Sequence, residues 1–146
     1  AIRTGTYGAP SDDQRRVFDI ALQMEEAGLD RLHSGGNLYD VNAAFDAVLH
    51  RHYPETEDIF RFRAAHALGH SYEDPIASAP FPQPYDDSLR KPEEDAFLEI
   101  EPGMLFEFHP NLFVPGVAGA VIGDMIVTTD DAPEIMNQFP RELISW

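Results

Sequence analysis

The sequence predicts an α+β domain, two helices followed by a curved antiparallel sheet. Two observations carry this. Apolar residues recur at near-helical spacing over 12–32 and again over 38–52. From about residue 97 onward the apolar runs are short, rich in β-formers and separated by turns containing Pro, Gly or Asp. The length of 146 residues suits a single domain, 1–146, with a core of its own.

Residues 1–10 mix β-formers with glycine and end at Pro10, which reads as the tail of a strand and a turn. Ser11 is placed to cap the first helix, with Asp12 and Asp13 complementing the dipole in its first turn. Val17, Ile20, Ala21, Met24, Ala27 and Leu32 form its apolar stripe, and residues 33–37 stop it. The second helix, about 38–52, carries Val41, Ala44, Phe45, Val48 and Leu49 on one face. Residues 53–58 read as an acidic loop, and 59–62 as a strand running into a small-residue turn around His66 and Gly69. The segment from Ser71 to Lys91 is rich in Pro and Asp and predicts a long irregular loop. Strands are expected near 97–100, 104–109, 121–129 and 134–136, with turns at Glu101-Pro102-Gly103 and at 130–133.

The formal net charge of −16 repels phosphate backbones and anionic lipids, so nucleic acid and membrane surfaces are excluded as partners. With no cysteine there are no disulfides, thiolate metal sites or cysteine nucleophiles, which suits a reducing, cytoplasmic setting. No apolar run approaches the roughly 20 residues a spanning helix needs. No basic stretch followed by an apolar one opens the sequence, so no secretory leader is expected.

The stretch from Glu101 to Asn111 carries the first candidate for chemistry. A turn launches the apolar run Met104 to Phe108, and the run ends on His109, pinned by Pro110. A strand delivers one polar side chain to a site at its end in this way. His66 sits among small residues that leave room for close approach. His33, His50 and His52 stand at helix ends, where histidine caps exposed carbonyls, and are assigned no chemistry.

Taken in order, several of these motifs resemble the second half of the pita-bread catalytic domain of the Xaa-Pro dipeptidase, aminopeptidase P and creatinase family. Pro10 to Phe18 resembles the lead-in to that family's first helix, and His66-Ala67-Leu68-Gly69 its His-Gly-Ile-Gly turn. Glu73-Asp74-Pro75 resembles its His-Glu-X-Pro loop, one residue shorter and with Tyr72 where the second histidine would stand. Glu101-Pro102-Gly103-Met104 with Pro115-Gly116 resembles its Glu-Pro-Gly-Met strand pair. Ile122 to Asp130 resembles its last catalytic strand.

The resemblance implies a two-metal hydrolase held by two Asp, one His and two Glu, and the departures from that set are its informative part. His66 keeps the histidine position; His109 stands at the first Glu position and Gly123 at the second. The spacing of Arg3-Thr4 places the two Asp upstream, the second immediately before Ala1. Two hard divalent ions need several carboxylates to offset their charge. Two neutral imidazoles do not provide that, so no cofactor is expected, and a single divalent ion would enter only with carboxylates from upstream. Glu107 is expected one pleat repeat away from His109, and Asp124 on the face opposite Gly123.

Without metal, the resemblance makes His66 the candidate proton carrier, with His109 orienting it or the water. His70, Tyr72 and Glu73 are the candidate substrate-binding residues. The expected activity, if the domain is an enzyme, is hydrolysis of a C–N bond in a small peptide or amino-acid derivative. The alternatives are a catalytically inactive peptide- or partner-binding module, or a lyase on the same scaffold. Half a pita-bread domain would expose a sheet edge, so pairing with an N-terminal half or with a second copy is expected.

Overall fold

The computed structural model of the chain describes residues 1–55, 59, 64–70, 72–77 and 98–146, and of 72–77 the strand alone. Helix α1 runs Asp12–Leu29 and α2 runs Leu38–His52. Around them lie β1 (Gly5–Thr6), β2 (Ala65–Leu68), β3 (Tyr72–Ala77), β4 (Leu105–Phe108), β5 (Asn111–Val114), β6 (Ala118–Val121), β7 (Asp124–Val127), β8 (Glu134–Ile135) and β9 (Ile144–Ser145). The main sheet is antiparallel throughout, in the order β3-β2-β4-β7-β8. A separate hairpin, β5-β6, packs on α1, and β1 pairs in parallel with β9. This is the α+β arrangement read from the sequence.

Helix α1 starts as a capping box. The Gln14 amide donates to the Ser11 hydroxyl at 3.2 Å, and the Ser11 amide donates to the Gln14 side-chain oxygen at 2.8 Å. The helix ends at Leu29 rather than at 32, because Asp30–Leu32 turn the chain toward α2 while still burying Leu32. At its last turn Gly28 lies directly beneath the Phe45 ring of α2, so the absence of a side chain sets how closely the helices approach. Phe45 in turn meets Phe108 of β4 edge-on, with ring centroids 5.5 Å apart. One apolar core thus joins both helices to the central strand that carries the site.

Several elements differ from the sequence reading. The small-residue stretch expected as a turn around His66 is strand β2, paired with β3 on one side and β4 on the other. The run expected as one strand over 121–129 is two, β6 and β7, in different sheets, because the chain crosses from the hairpin to the main sheet at Ile122-Gly123. Tyr72–Ala77 is a strand rather than irregular. Pro75 is tolerated there because β3 is the last of the described strands on its side of the sheet. Leu98–Ile100 makes only an isolated bridge, Asn37 to Glu99, where a strand is expected. The strand expected at 59–62 lies outside the described residues except at Ile59. The Glu101-Pro102-Gly103 turn forms as expected: Gly103 adopts φ +85°, its amide donates to the Thr128 carbonyl at 2.7 Å, and the Thr128 hydroxyl donates to the Glu101 carbonyl at 2.6 Å.

A buried charge network closes the fold behind the site. The Arg3 guanidinium donates to the carbonyls of Ile2, Gly123, Phe139 and Pro140 and to the Asp124 carboxylate, at 2.7–2.8 Å. Arg141 donates through two nitrogens to Glu25 Oε2 of α1, at 2.8 and 3.0 Å, and lies 3.5 Å from Asp124 Oδ2. Burial raises the Glu25 carboxyl above its ordinary pKa despite the Arg141 hydrogen bonds. The network ties both ends of the described chain to α1 and β7.

Candidate functional site

Register assembles the site. In β2, His66 stands directly opposite Glu107 of β4, and the period of two along a strand puts His109 on the same face, just past the strand end. His109 is held there by its backbone. Its amide donates to the Ala64 carbonyl at 2.7 Å, its carbonyl accepts from the Asn111 side chain at 2.8 Å, and Pro110 fixes the exit.

The two imidazoles lie 5.1 Å apart, centroid to centroid, tilted by 60°. Both are buried. His66 Nδ1 sits 3.1 Å from the Ala67 carbonyl. That oxygen can only accept, so Nδ1 carries the hydrogen. His66 Nε2 points to Glu107, 3.6 Å from Oε2. Sequence spacing alone sets Glu107 apart from the site, measured from His109 along one strand. Across the sheet it is the neighbour of His66, and only the strand register reveals that.

Burial, reinforced by the nearby His66, pushes the His109 pKa down from 6.5 to about 4. His109 is therefore neutral at pH 7. The stability consequence has a definite sign. A histidine with a depressed folded pKa contributes stability above pH 6.5 that is lost as pH falls toward 4. Between those limits wild type should lose about 3 kcal/mol that a His109→Phe variant does not lose. Urea midpoints of both proteins across pH 4–7 check this; parallel curves would contradict it.

The remaining candidates fall differently. His70 is exposed, in the bend that follows β2. Tyr72 and Glu73 belong to a strand, not to the loop expected for them. The β2–β3 register sets Ile76 opposite His66 and Tyr72 opposite Leu68, with a bulge between. The side chains of Tyr72 and Glu73 lie outside the described residues. His50 bonds the Asp46 carbonyl one turn back at 2.8 Å, and His52 reaches Gln23 of α1 at 3.2 Å; both serve the helices.

The chain's own atoms show how a metal centre would fare. An added Cβ at Gly123 would lie 2.8 Å from the Phe108 carbonyl oxygen, 3.1 Å from His109 Cβ and 3.2 Å from Ile2 Cβ. Backbone occupies the place where a ligand side chain would begin. Among the described residues, no three His, Cys, Asp or Glu converge where a metal ion could be held. Among the described residues the donors do not by themselves make up the set that two divalent ions require.

The sequence pattern of metallopeptidase family M24 matches residues 1–130. The chain belongs to metallopeptidase family M24. An uncharacterized peptidase of Staphylococcus haemolyticus is 28% identical over 143 residues, covering 95% of this chain and 35% of that protein. An uncharacterized peptidase of Staphylococcus aureus strain MRSA252 is 27% identical over the same length. The chain thus spans about a third of the length of the curated relatives it matches. Among solved structures, dipeptidase PepE of Mycobacterium ulcerans superposes with a TM-score of 0.74 at 26% identity, over 96% of this chain and 33% of that one. An Xaa-Pro dipeptidase of Bacillus anthracis gives a TM-score of 0.70 at 24% identity, over 97% and 35% of the two chains, and shares the fold. The M24 membership and the pita-bread fold agree with the resemblance read from the motifs. No described helix is long and apolar enough to cross a membrane.

Proposed function

We propose that this M24 domain hydrolyses a C–N bond in a small peptide or amino-acid derivative through His66, assisted by His109, without a two-metal centre. The observation that carries the reading is the buried pair of imidazoles at 5.1 Å, beside a strand with no room for a side chain at Gly123. His66 would move the proton. Its Nδ1–H is committed to the Ala67 carbonyl, so Nε2 is the working nitrogen. His109, held neutral by burial, accepts a hydrogen bond from water or substrate at pH 7. His70, Tyr72 and Glu73 are proposed to meet the substrate.

Turnover of Xaa-Pro dipeptides and related small amides, with and without chelator, tests this. Activity should survive EDTA and fall at least a hundredfold in His66→Ala, the scale on which positioned acid–base groups act. Activity abolished by EDTA and restored by Mn²⁺ would sink the metal-free reading. The closed position at Gly123 also favours a second reading, a peptide-binding module without catalysis. A dipeptide that raises the Tm with no product formed would select it.

A further inference from the structure

Away from the histidine pair, Arg141 stands between two buried carboxylates and leaves an oxygen of each unpartnered. Its Nε and one terminal nitrogen both donate to Glu25 Oε2 of α1, at 3.0 and 2.8 Å, while Nε lies 3.5 Å from Asp124 Oδ2 of β7. Both carboxylate side chains are wholly enclosed. Among the described residues, Glu25 Oε1 and Asp124 Oδ2 have no hydrogen-bond partner. We propose that Glu25 is a proton-operated latch: ionised, it holds Arg141 and the C-terminal segment 137–146 to α1; protonated, it yields Arg141 to Asp124.

The geometry supplies both positions of the latch. A buried acceptor without a partner is costly, and Asp124 Oδ2 is such an acceptor while Arg141 stays on Glu25. An approach closer by about 0.3 Å brings Nε within hydrogen-bond distance of it. On Glu25, Oε1 is the oxygen open to an incoming proton. The charged groups facing Glu25 are Arg141 from the C-terminal segment, Asp124 from β7 and Arg3 from the N-terminal segment. Burial is the largest influence and raises the carboxyl above its ordinary 4.5; the Arg141 hydrogen bonds and charge lower it, Asp124 raises it and Arg3 lowers it. Proton uptake therefore begins at a higher pH than at an exposed glutamate. The proton comes from water, reached as the partly exposed Arg141 side chain moves, and the guanidinium keeps its own. With Glu25 neutral, the Asp124 carboxylate is the stronger acceptor of the two. Arg3, which donates to the Phe139 and Pro140 carbonyls, and the β1–β9 pairing keep the segment in place. Its hold passes from α1 to β7, the neighbour of the central strand β4.

The test follows Arg141 itself and reads no turnover, so its outcome is independent of the hydrolase reading. In ¹⁵N-arginine-labelled protein, with Arg141→Lys for assignment, the Arg141 Nε–H resonance is followed by NMR from about pH 8 to about pH 4.5. It should move in one step whose midpoint matches that of the Glu25 side-chain carboxyl carbon, read from a ¹³C-labelled sample. In Glu25→Gln it should stand near the acid position at every pH. Exchange of the Nε hydrogen with water, taken relative to that of the exposed Arg16, should stay slow on both sides of the step, because Asp124 takes over the bond. An unmoved resonance overturns the latch. So does a step that survives in Glu25→Gln, which would belong to another group. A relative exchange at least about tenfold faster in acid overturns it too, since Arg141 would then have gone to solvent. Should Glu25→Gln fail to fold, the two wild-type midpoints decide: coincidence supports the latch and a mismatch overturns it.

Discussion

Replacing Arg3 by Met should cost about 3–5 kcal/mol of stability, the range found when one partner of a buried ion pair is removed. The side chain of Arg3 is almost wholly enclosed and donates to four carbonyls and to Asp124. Met fills much of the same volume and donates nothing. Among the described residues, Asp124, whose side chain is fully buried, would keep only Arg141, at 3.5 Å from Oδ2. Its Oδ2 already lacks a hydrogen-bond partner among the described residues. The loss therefore falls on an uncompensated charge as well as on the carbonyls of Phe139 and Pro140. Urea unfolding should show a lowered midpoint with an unchanged slope. The double variant Arg3→Met, Asp124→Leu should recover part of the loss, because the stranded carboxylate goes with its partner. A single-variant cost below 1 kcal/mol, or additivity in the double variant, would show that the pair contributes little.

That network also marks the limit of what the sequence discloses. Helix α1 is legible from Ser11 and its apolar stripe, and α2 from Val41, Phe45 and Leu49, because helical periodicity and caps are local signals. Gly103 and the turn before β4 are legible for the same reason. His66 and His109 stand out through their motifs, and the structure brings their rings together. Arg3, Glu25, Asp124 and Arg141 give no such signal. Their partners lie 116 to 121 residues away along the chain, and only the packed fold brings them together. Glu107 is an intermediate case. Its distance from His109 follows from the strand period, but its contact with His66 follows from cross-strand register, which no single run of residues encodes. The split of 121–129 into β6 and β7 was hidden similarly, since Val121, Ile122, Met125 and Ile126 read as one apolar run until Gly123 is seen as a crossing between sheets.

Gly123→Glu should destabilise the domain by more than about 3 kcal/mol and should not create a divalent-metal site. The backbone at Gly123 is pinned from two sides. Ile2 and Gly123 exchange both of their amide–carbonyl hydrogen bonds, at 2.7 and 2.9 Å, and the Gly123 carbonyl also accepts from Arg3 at 2.8 Å. The first carbon of any side chain would press on the Phe108 carbonyl oxygen at 2.8 Å, and that oxygen belongs to the central strand and cannot swing aside. Gly123→Ala isolates this steric part, for which about 1–3 kcal/mol is expected. Glu adds to this a carboxylate that would have to be taken out of water in a place the backbone already closes. Denaturation of both variants, with calorimetric titration of Mn²⁺ into each folded protein, separates the steric part from the electrostatic one. A Glu variant as stable as wild type that binds Mn²⁺ at micromolar concentration would mean that the strand yields and that one substitution reopens the metal site. An Ala variant destabilised within the expected range, a Glu variant below it and no Mn²⁺ heat from either would place the obstacle in the backbone path itself.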